Sequence, residues 1–347
     1  MYSKVPKSIP LNQKTNIKVL DPMDESWVNF VKTSKEATIF HHPEWIKMLT
    51  KCYGYESFIV ALKSANNKIK AGIPFMEVNS WITGQRWISL PFTDHCCPLY
   101  TGGDPPNELF KTLLKLKNKY EVPHIEIRST IPDHFQVNED NSQVLHLLEL
   151  SKDPQKVFKS FHKSQVKRNI AKATRKGITV KRTLEKSDLD IYYELHVNTR
   201  HRLGVPVQPK KFFKLLYRHI IKAGFGFLLL AHKDSIPVAG GIFLTYKNLL
   251  MYKYGASDKD YWNFSPNHLL FWTAIRWGCI KGYDVFDWGK SDINNTGLRN
   301  FKNRWGTKEI PLVYSIISNS APNHIDKQIT NTAKKIVRRF PAWLTRL

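Results

Sequence analysis

Carboxylates and cysteines are the scarce residues of this 347-residue chain. Only 29 aspartates and glutamates stand against 53 lysines and arginines, a net charge of +24, which leaves a strong positive field that attracts phosphate-rich or anionic partners. The four cysteines, Cys52, Cys96, Cys97 and Cys279, have no metal-ligand spacing, and the adjacent pair is badly placed for an ordinary disulfide. No metal site is expected, and a reducing compartment fits. Long apolar runs are missing too: residues 1–20 hold lysines without an apolar h-region, and no window reaches the roughly 18 apolar residues of a spanning helix. A cytoplasmic location is expected, with membrane association only through the C-terminal tail.

What is present suits a core. A hydrophobic content of 42% and an aromatic content of 12% describe a globular chain, long enough for two domains. Within Phe40 to Leu49, Pro43 sits in the first turn of a helix with Trp45, Ile46 and Leu49 as its apolar face, preceded by His41 and His42 in a loop. Ser57 to Lys63, Lys68 to Val78 and Arg86 to Pro91 read as an antiparallel meander. It runs into the proline-bracketed loop Leu90-Pro91-Phe92-Thr93-Asp94-His95-Cys96-Cys97-Pro98. Cys96 and His95 are a poor nucleophile and base, since sequence neighbours point apart in an extended chain. Asp94 or His95 is the better proton acceptor or substrate hydrogen-bonder, held on a loop at a strand end. A helix over Asn107 to Tyr120, a strand ending in Arg128 and a strand from Val144 to Leu150 complete a first domain, 1–150.

The second domain, 151–320, opens with a helix expected from Pro154 to about Lys176, with Val157, Phe158, Phe161, Val166, Ile170 and Ala173 apolar. Ser151 to Lys186 carries 12 cations against 2 acids, a local net of +10, either a solvated face or a phosphate-contacting one. Helices over about Leu189–Arg202 and Pro209–Lys222 precede a second meander: Phe225 to His232, Pro237 to Tyr246 and Leu249 to Tyr254. The loop Gly255 to Asp258 and an apolar helix capped by Ser265-Pro266 lead to Tyr283 to Trp288, a strand expected to break at Gly289. There Asp287, Lys290 and Ser291 gather. Gly297 to Gly306 follows, mixing Phe301 and Trp305 with Lys302 and Arg304. This combination suits a charged, partly dry site, or a buried ion pair beneath two tryptophans. Leu312 to Ile317 is a closing strand. The tail, 321–347, has six cations, one acid and a modest apolar helical face interrupted by Pro341, suited to docking, to solvation or to an anionic membrane surface.

Lys167-Arg168-Asn169-Ile170-Ala171-Lys172-Ala173, Leu90 to Asp94, Tyr254-Gly255-Ala256-Ser257, Pro266-Asn267-His268-Leu269-Leu270, Phe286 to Ser291 and Gly297 to Lys302 together resemble the FemAB family. The resemblance covers most of residues 35 to 318 and implies two tandem GNAT-like acyltransferase domains, an α/β (α+β) fold in which each domain is a mixed, mostly antiparallel sheet flanked by helices. Well-studied members move an amino acid from aminoacyl-tRNA to an amine of a peptidoglycan precursor. This chain looks more like the relatives associated with envelope and exopolysaccharide clusters. It lacks both the long charged heptad run of a tRNA-binding hairpin and an Arg/Gln-x-x-Gly-x-Gly/Ala pyrophosphate loop, so aminoacyl-tRNA and an acyl thioester of coenzyme A or a carrier protein both stand as donors.

The resemblance implies an amide-forming N-acyltransferase with no bound cofactor, acting on an amine of a cell-envelope or polysaccharide precursor. Lys302 matches the lysine of the family's Phe-Lys pair and is the first catalytic candidate, with Asp287 and Asp94 beside it. Phe301, Lys290, Ser291, Trp288, Tyr254, Asn267, Arg128 and Trp305 are the substrate-binding candidates. The expected partners are an acyl donor, a phosphate-bearing sugar or lipid-linked acceptor, tRNA and a membrane surface. The competing class is a protein of the same fold without catalysis, either nucleic-acid-binding, with affinity that falls steeply with salt, or membrane-peripheral, released from lipid by truncation of the tail over 321–347.

Overall fold

The computed structural model describes residues 17–80, 84–102, 107–132, 135 and 137–318, so the basic tail over 321–347 lies outside the described residues. These residues divide into two compact units, 17–143 with 312–318, and 144–311. The division falls slightly before the expected position near residue 150, and the last described strand is shared, its residues 312–318 counting with the first unit.

The first unit contains β1 (Ile17–Leu20), α1 (Glu25–Thr33), α2 (Pro43–Tyr53), β2 (Glu56–Lys63), β3 (Ile69–Ser80), β4 (Gly84–Ile88), β5 (Leu99–Tyr100), α3 (Asn107–Lys119), β6 (His124–Ile127) and the start of β7 (Asn138–Glu149). His42 and Pro43 begin α2: His42 Nδ1 accepts the Glu44 N–H, and Pro43 fills the first turn where no N–H is needed. The expected meander is β2-β3-β4, paired antiparallel throughout. Parallel β4–β6 pairing extends it, and the end of the chain's last strand pairs antiparallel with β6 through Ser315 and Ile127. Phe58, Val60, Ile73, Phe75 and Trp87 pack with Leu109, Phe110 and Leu113 of α3 to form the core.

The second unit follows with α4 (Pro154–Ser160), α5 (Arg168–Arg175), β8 (Ile178–Thr183), α6 (Lys186–Leu203), α7 (Lys210–Leu216), β9 (Gly226–Lys233), β10 (Ile236–Tyr246), β11 (Leu249–Ser257), α8 (Pro266–Lys281), β12 (Val285–Asp292), α9 (Thr296–Asn303) and β13 (Lys308–Ser318), the last leaving the unit after residue 311. The strand order is β7-β12-β11-β10-β9-β8. Neighbouring pairs from β8 to β11 are antiparallel, and β11–β12 is parallel. Both units carry the mixed, mostly antiparallel sheet with flanking helices that was expected.

Four elements differ from expectation. The single helix to Lys176 is broken: α4 stops at Ser160, Phe161 is extended, and a π turn (Lys163–Lys167) leads into α5. Phe161 and Val166 are both buried across the break, and the wider turn carries Val166 inward ahead of Ile170. β8, reading Ile-Thr-Val-Lys-Arg-Thr, was not anticipated because its cations obscure the alternation, and it lies at the end of the strand order, where lysine discourages further pairing. Finally, β12 does not break at Gly289 but continues to Asp292, with Gly289 at φ 71°, and β11 continues through Ser257.

Candidate functional site

The site arises where two strands part. β11 and β12 pair in parallel over three positions, Leu249 with Val285, Leu250 with Phe286 and Met251 with Asp287. β11 continues along β10 to Ser257, while β12 continues through Trp288 and Gly289. A cavity of about 330 Å³ lies at the divergence. Tyr252, Gly255 and Ser257 line it from β11, Trp288 from β12, Pro266, Asn267, His268 and Phe271 from α8, and Leu298, Phe301 and Lys302 from α9.

A bulge decides which tyrosine faces this space. The β10–β11 register shifts between Ile242 and Phe243, which oppose Tyr254 and Tyr252 respectively. Adjacent strand residues face opposite ways, so Tyr252 and Tyr254, two apart, are sent to opposite faces of the sheet. Tyr254 packs edge-on against Phe212, 5.6 Å between centroids, and His196. Tyr252 meets Phe271 at 4.8 Å, and burial raises the pKa of its phenol. Gly255 is required beside it: a Cβ there would stand 1.7 Å from the Tyr252 hydroxyl oxygen.

Lys302 is held by main chain. Asn295 caps α9 by accepting the Leu298 N–H, and the helix carries Phe301 and Lys302 into the cavity wall. Lys302 is only 4% exposed, and its Nζ donates to the carbonyl oxygens of Gly289, 2.8 Å, and Lys290, 3.0 Å. Asp287, fully buried, accepts the Gly289 N–H at 2.7 Å and so shapes the turn presenting those carbonyls. It does not line the cavity. Arg299 makes a two-point pair with Glu309, at 3.1 and 2.7 Å, and Asn303 donates to the same carboxylate at 3.0 Å, so α9 is fixed from its outer side as well. Buried His146 lies 3.8 Å from Glu309. Burial, with the Lys302 cation next in weight, pushes its pKa down to about 4, so the ring is neutral at pH 7 and the approach is not an ion pair.

His268 faces the cavity from the first turn of α8. Its ring stacks on Trp305, 5.9 Å at 24°, and meets Phe301 edge-on. Burial, with Lys172 adding to it, lowers its pKa to about 4 despite a hydrogen bond to the Gln165 backbone, so this ring is neutral too. Asn169 of α5 lies 3.5 Å from His268 Nε2 and accepts from the Ser265 hydroxyl at 3.4 Å, which brings the basic helix beside the site. Ser265 takes a left-handed conformation and makes no side-chain cap for α8, contrary to the capping role expected.

Of the candidate residues, Lys302, Phe301, Trp288 and Asn267 line the cavity. Trp305 is buried behind it, 5.1 Å from Trp288; Ser291 is buried off it, and half-buried Lys290 contributes its carbonyl. Tyr254 faces the other side of the sheet. Asp94 and Arg128 belong to the first unit. Arg128 donates to Glu126 at 2.8 Å and to the Thr93 carbonyl, and lies over the Tyr314 ring, whose hydroxyl donates to the Asp94 carbonyl. Together they brace the Leu90 to Pro98 loop, in which Leu90 and Phe92 have φ of 64° and 63°. Burial raises the Cys96 thiol, as expected of a structural cysteine. Tyr252, Gly255, His268 and Phe271 are not among the candidates read from sequence, although Gly255 and His268 sit inside quoted motifs; Tyr252 lies two residues before the motif that begins at Tyr254. Among the described residues no group of histidine, cysteine and carboxylate side chains could hold a metal ion, and no helix is long and apolar enough to cross a membrane.

Parallel strands that part over a cavity within a mostly antiparallel sheet define a GNAT-type acyltransferase fold. Residues 160–303 match the family described as Acetyltransferase (GNAT) domain. The Lipid II:glycine glycyltransferase of Staphylococcus haemolyticus is 33% identical over 86 residues, 23% of this chain and 20% of that protein. The chain thus spans about a fifth of the length of the curated relatives it matches. A crystal structure of FemX superposes with a TM-score of 0.66 at 14% identity, covering 86% of this chain and 96% of that one. A tandem GNAT protein from the clavulanic acid biosynthesis pathway gives 0.55 at 8% identity, covering 88% and 100%. At these identities the structural likeness is one of fold. The resemblance to the FemAB family read from the motifs is borne out.

Proposed function

We propose that the protein is an N-acyltransferase that moves an acyl or aminoacyl group onto an amine of a cell-envelope or polysaccharide precursor, with a lipid-linked saccharide as the leading acceptor. The observation that carries this reading is Lys302: a buried ammonium, held by two backbone carbonyls, on the wall of the cavity where β11 and β12 part. The acceptor amine attacks the donor carbonyl, the developing oxyanion is stabilised by the Lys302 ammonium, and collapse expels the donor's alcohol or thiol as the amine gives up a proton. Asp287 positions Lys302 through Gly289. Asp94 remains the proposed acceptor-side residue of the first unit.

The donor reads as a phosphate-rich molecule. Arg168 and Arg175 are exposed on α5, with exposed Lys176 just after it, and Asn169 of the same helix contacts the cavity-lining His268. Both aminoacyl-tRNA and coenzyme A thioesters have the charge that this surface favours. The test is mass-spectrometric detection of amide product on a lipid-linked amino sugar or peptide, supplied with either donor, for the wild type and Lys302→Met. Product that falls at least a hundredfold in the variant supports the reading. Equal turnover by the two proteins refutes the role of Lys302, and binding without covalent product under every donor refutes the transferase.

A further inference from the structure

We infer that the transferred group is an uncharged, apolar acyl chain larger than glycyl, delivered as a thioester; this rests on the acyl-transfer reading and names its substrate. The cavity wall exposes more apolar than polar surface: Tyr252, Trp262, Phe271, Trp288 and Phe301 contribute, with Leu298 at 38% exposure on the rim. The rings of Tyr252, Phe271, Trp288 and Phe301 pack on one another, at 4.8, 4.6 and 6.1 Å in that order, and form a continuous apolar wall, while Trp262 stands apart beneath the Arg202 guanidinium, 4.5 Å from its ring centre.

The charges point the same way. Among the described residues the wall holds no carboxylate, and Lys302 is its single lysine or arginine. His268 is kept neutral by burial. An aminoacyl group brings an α-ammonium, which would be desolvated here beside a like charge with no acid to pair it. An alkanoyl or arylacyl group brings no such charge. Size agrees: a cavity of about 330 Å³ is more than a glycyl group fills even with the attacking amine admitted. The reaction balances without a further reagent: the C–N bond forms, the C–S bond breaks, and the proton lost from the amine ends on the departing thiol.

The test is calorimetric titration of the full chain with octanoyl, acetyl and glycyl derivatives of N-acetylethylenediamine, stable amide analogues of the corresponding thioesters. Octanoyl should bind at least tenfold tighter than acetyl, since each buried methylene multiplies affinity about fourfold. Glycyl should bind weaker than acetyl, and Leu298→Trp, at an exposed rim position, should weaken octanoyl at least tenfold. Glycyl binding as tightly as octanoyl, sensitive to the same rim substitution, overturns the apolar group while acyl transfer stands. No binding by any analogue overturns the apolar group as well, and acyl transfer is then decided by the product assay with either donor.

Discussion

Replacing Lys302 by methionine keeps most of the aliphatic stem and removes the ammonium. Two hydrogen bonds from a charged donor are lost, to Gly289 at 2.8 Å and Lys290 at 3.0 Å, and both carbonyls lose a buried partner. Such bonds contribute about 1.5–3 kcal/mol each, and relief of the cation's own desolvation returns part of that sum. The expected loss is about 2–4 kcal/mol, a fall in melting temperature of roughly 4–16 °C for a unit of this size. Differential scanning calorimetry measures the loss, and hydrogen exchange over 285–304 locates it. A transition within 1 °C of wild type, with unchanged exchange in that segment, would show that the Nζ contacts contribute nothing and would undo the account of how the cation is held.

Asp287→Ala should destabilise the second unit by about 1–3 kcal/mol, because the Gly289 N–H is left buried without its acceptor, whereas Asp287→Asn retains an accepting oxygen and should lose much less; urea unfolding distinguishes them. Gly255→Ala should destabilise by about 1–3 kcal/mol and blunt octanoyl-analogue binding, with partial rescue by Tyr252→Phe in a double-mutant cycle, since the added carbon meets the phenol oxygen first. Acid should weaken the second unit. His146 and His196 are buried with pKa lowered to about 4, so the unfolded chain takes up their protons first, and their contribution is complete above about pH 6.5 and lost as pH falls toward 4. Between pH 7 and pH 5 the loss should be about 2 kcal/mol per ring, read from urea midpoints, and a flat profile would refute neutral burial.

Legibility from sequence followed locality. α2, α3 and α8 were visible because punctuation and periodicity agree in them: Pro43 before Trp45 and Leu49, Leu109 to Leu116 in step, Pro266 and Gly282 enclosing an apolar run. The meanders were visible through their turns. Features set by pairing partners were not. Nothing in Tyr252-Lys253-Tyr254 announces a bulge, which exists only against Ile242 and Phe243 of another strand. The neutral states of His146 and His268 likewise come from burial that distant residues create. Lys302 was reached through its Phe-Lys neighbourhood, while the carbonyls that hold it have no side-chain signature.

The last point bears on how this site can change over generations. Because the ammonium is gripped by peptide oxygens, exchanging the side chain at Lys290 deletes no acceptor. What must persist is the path of the chain through Gly289, where φ of 71° suits a residue without a Cβ, and the carboxylate at Asp287 that anchors it. Drift in the residue beside the cation is therefore tolerable, whereas a single branched substitution at the glycine would disarm the site while leaving every named catalytic side chain in place.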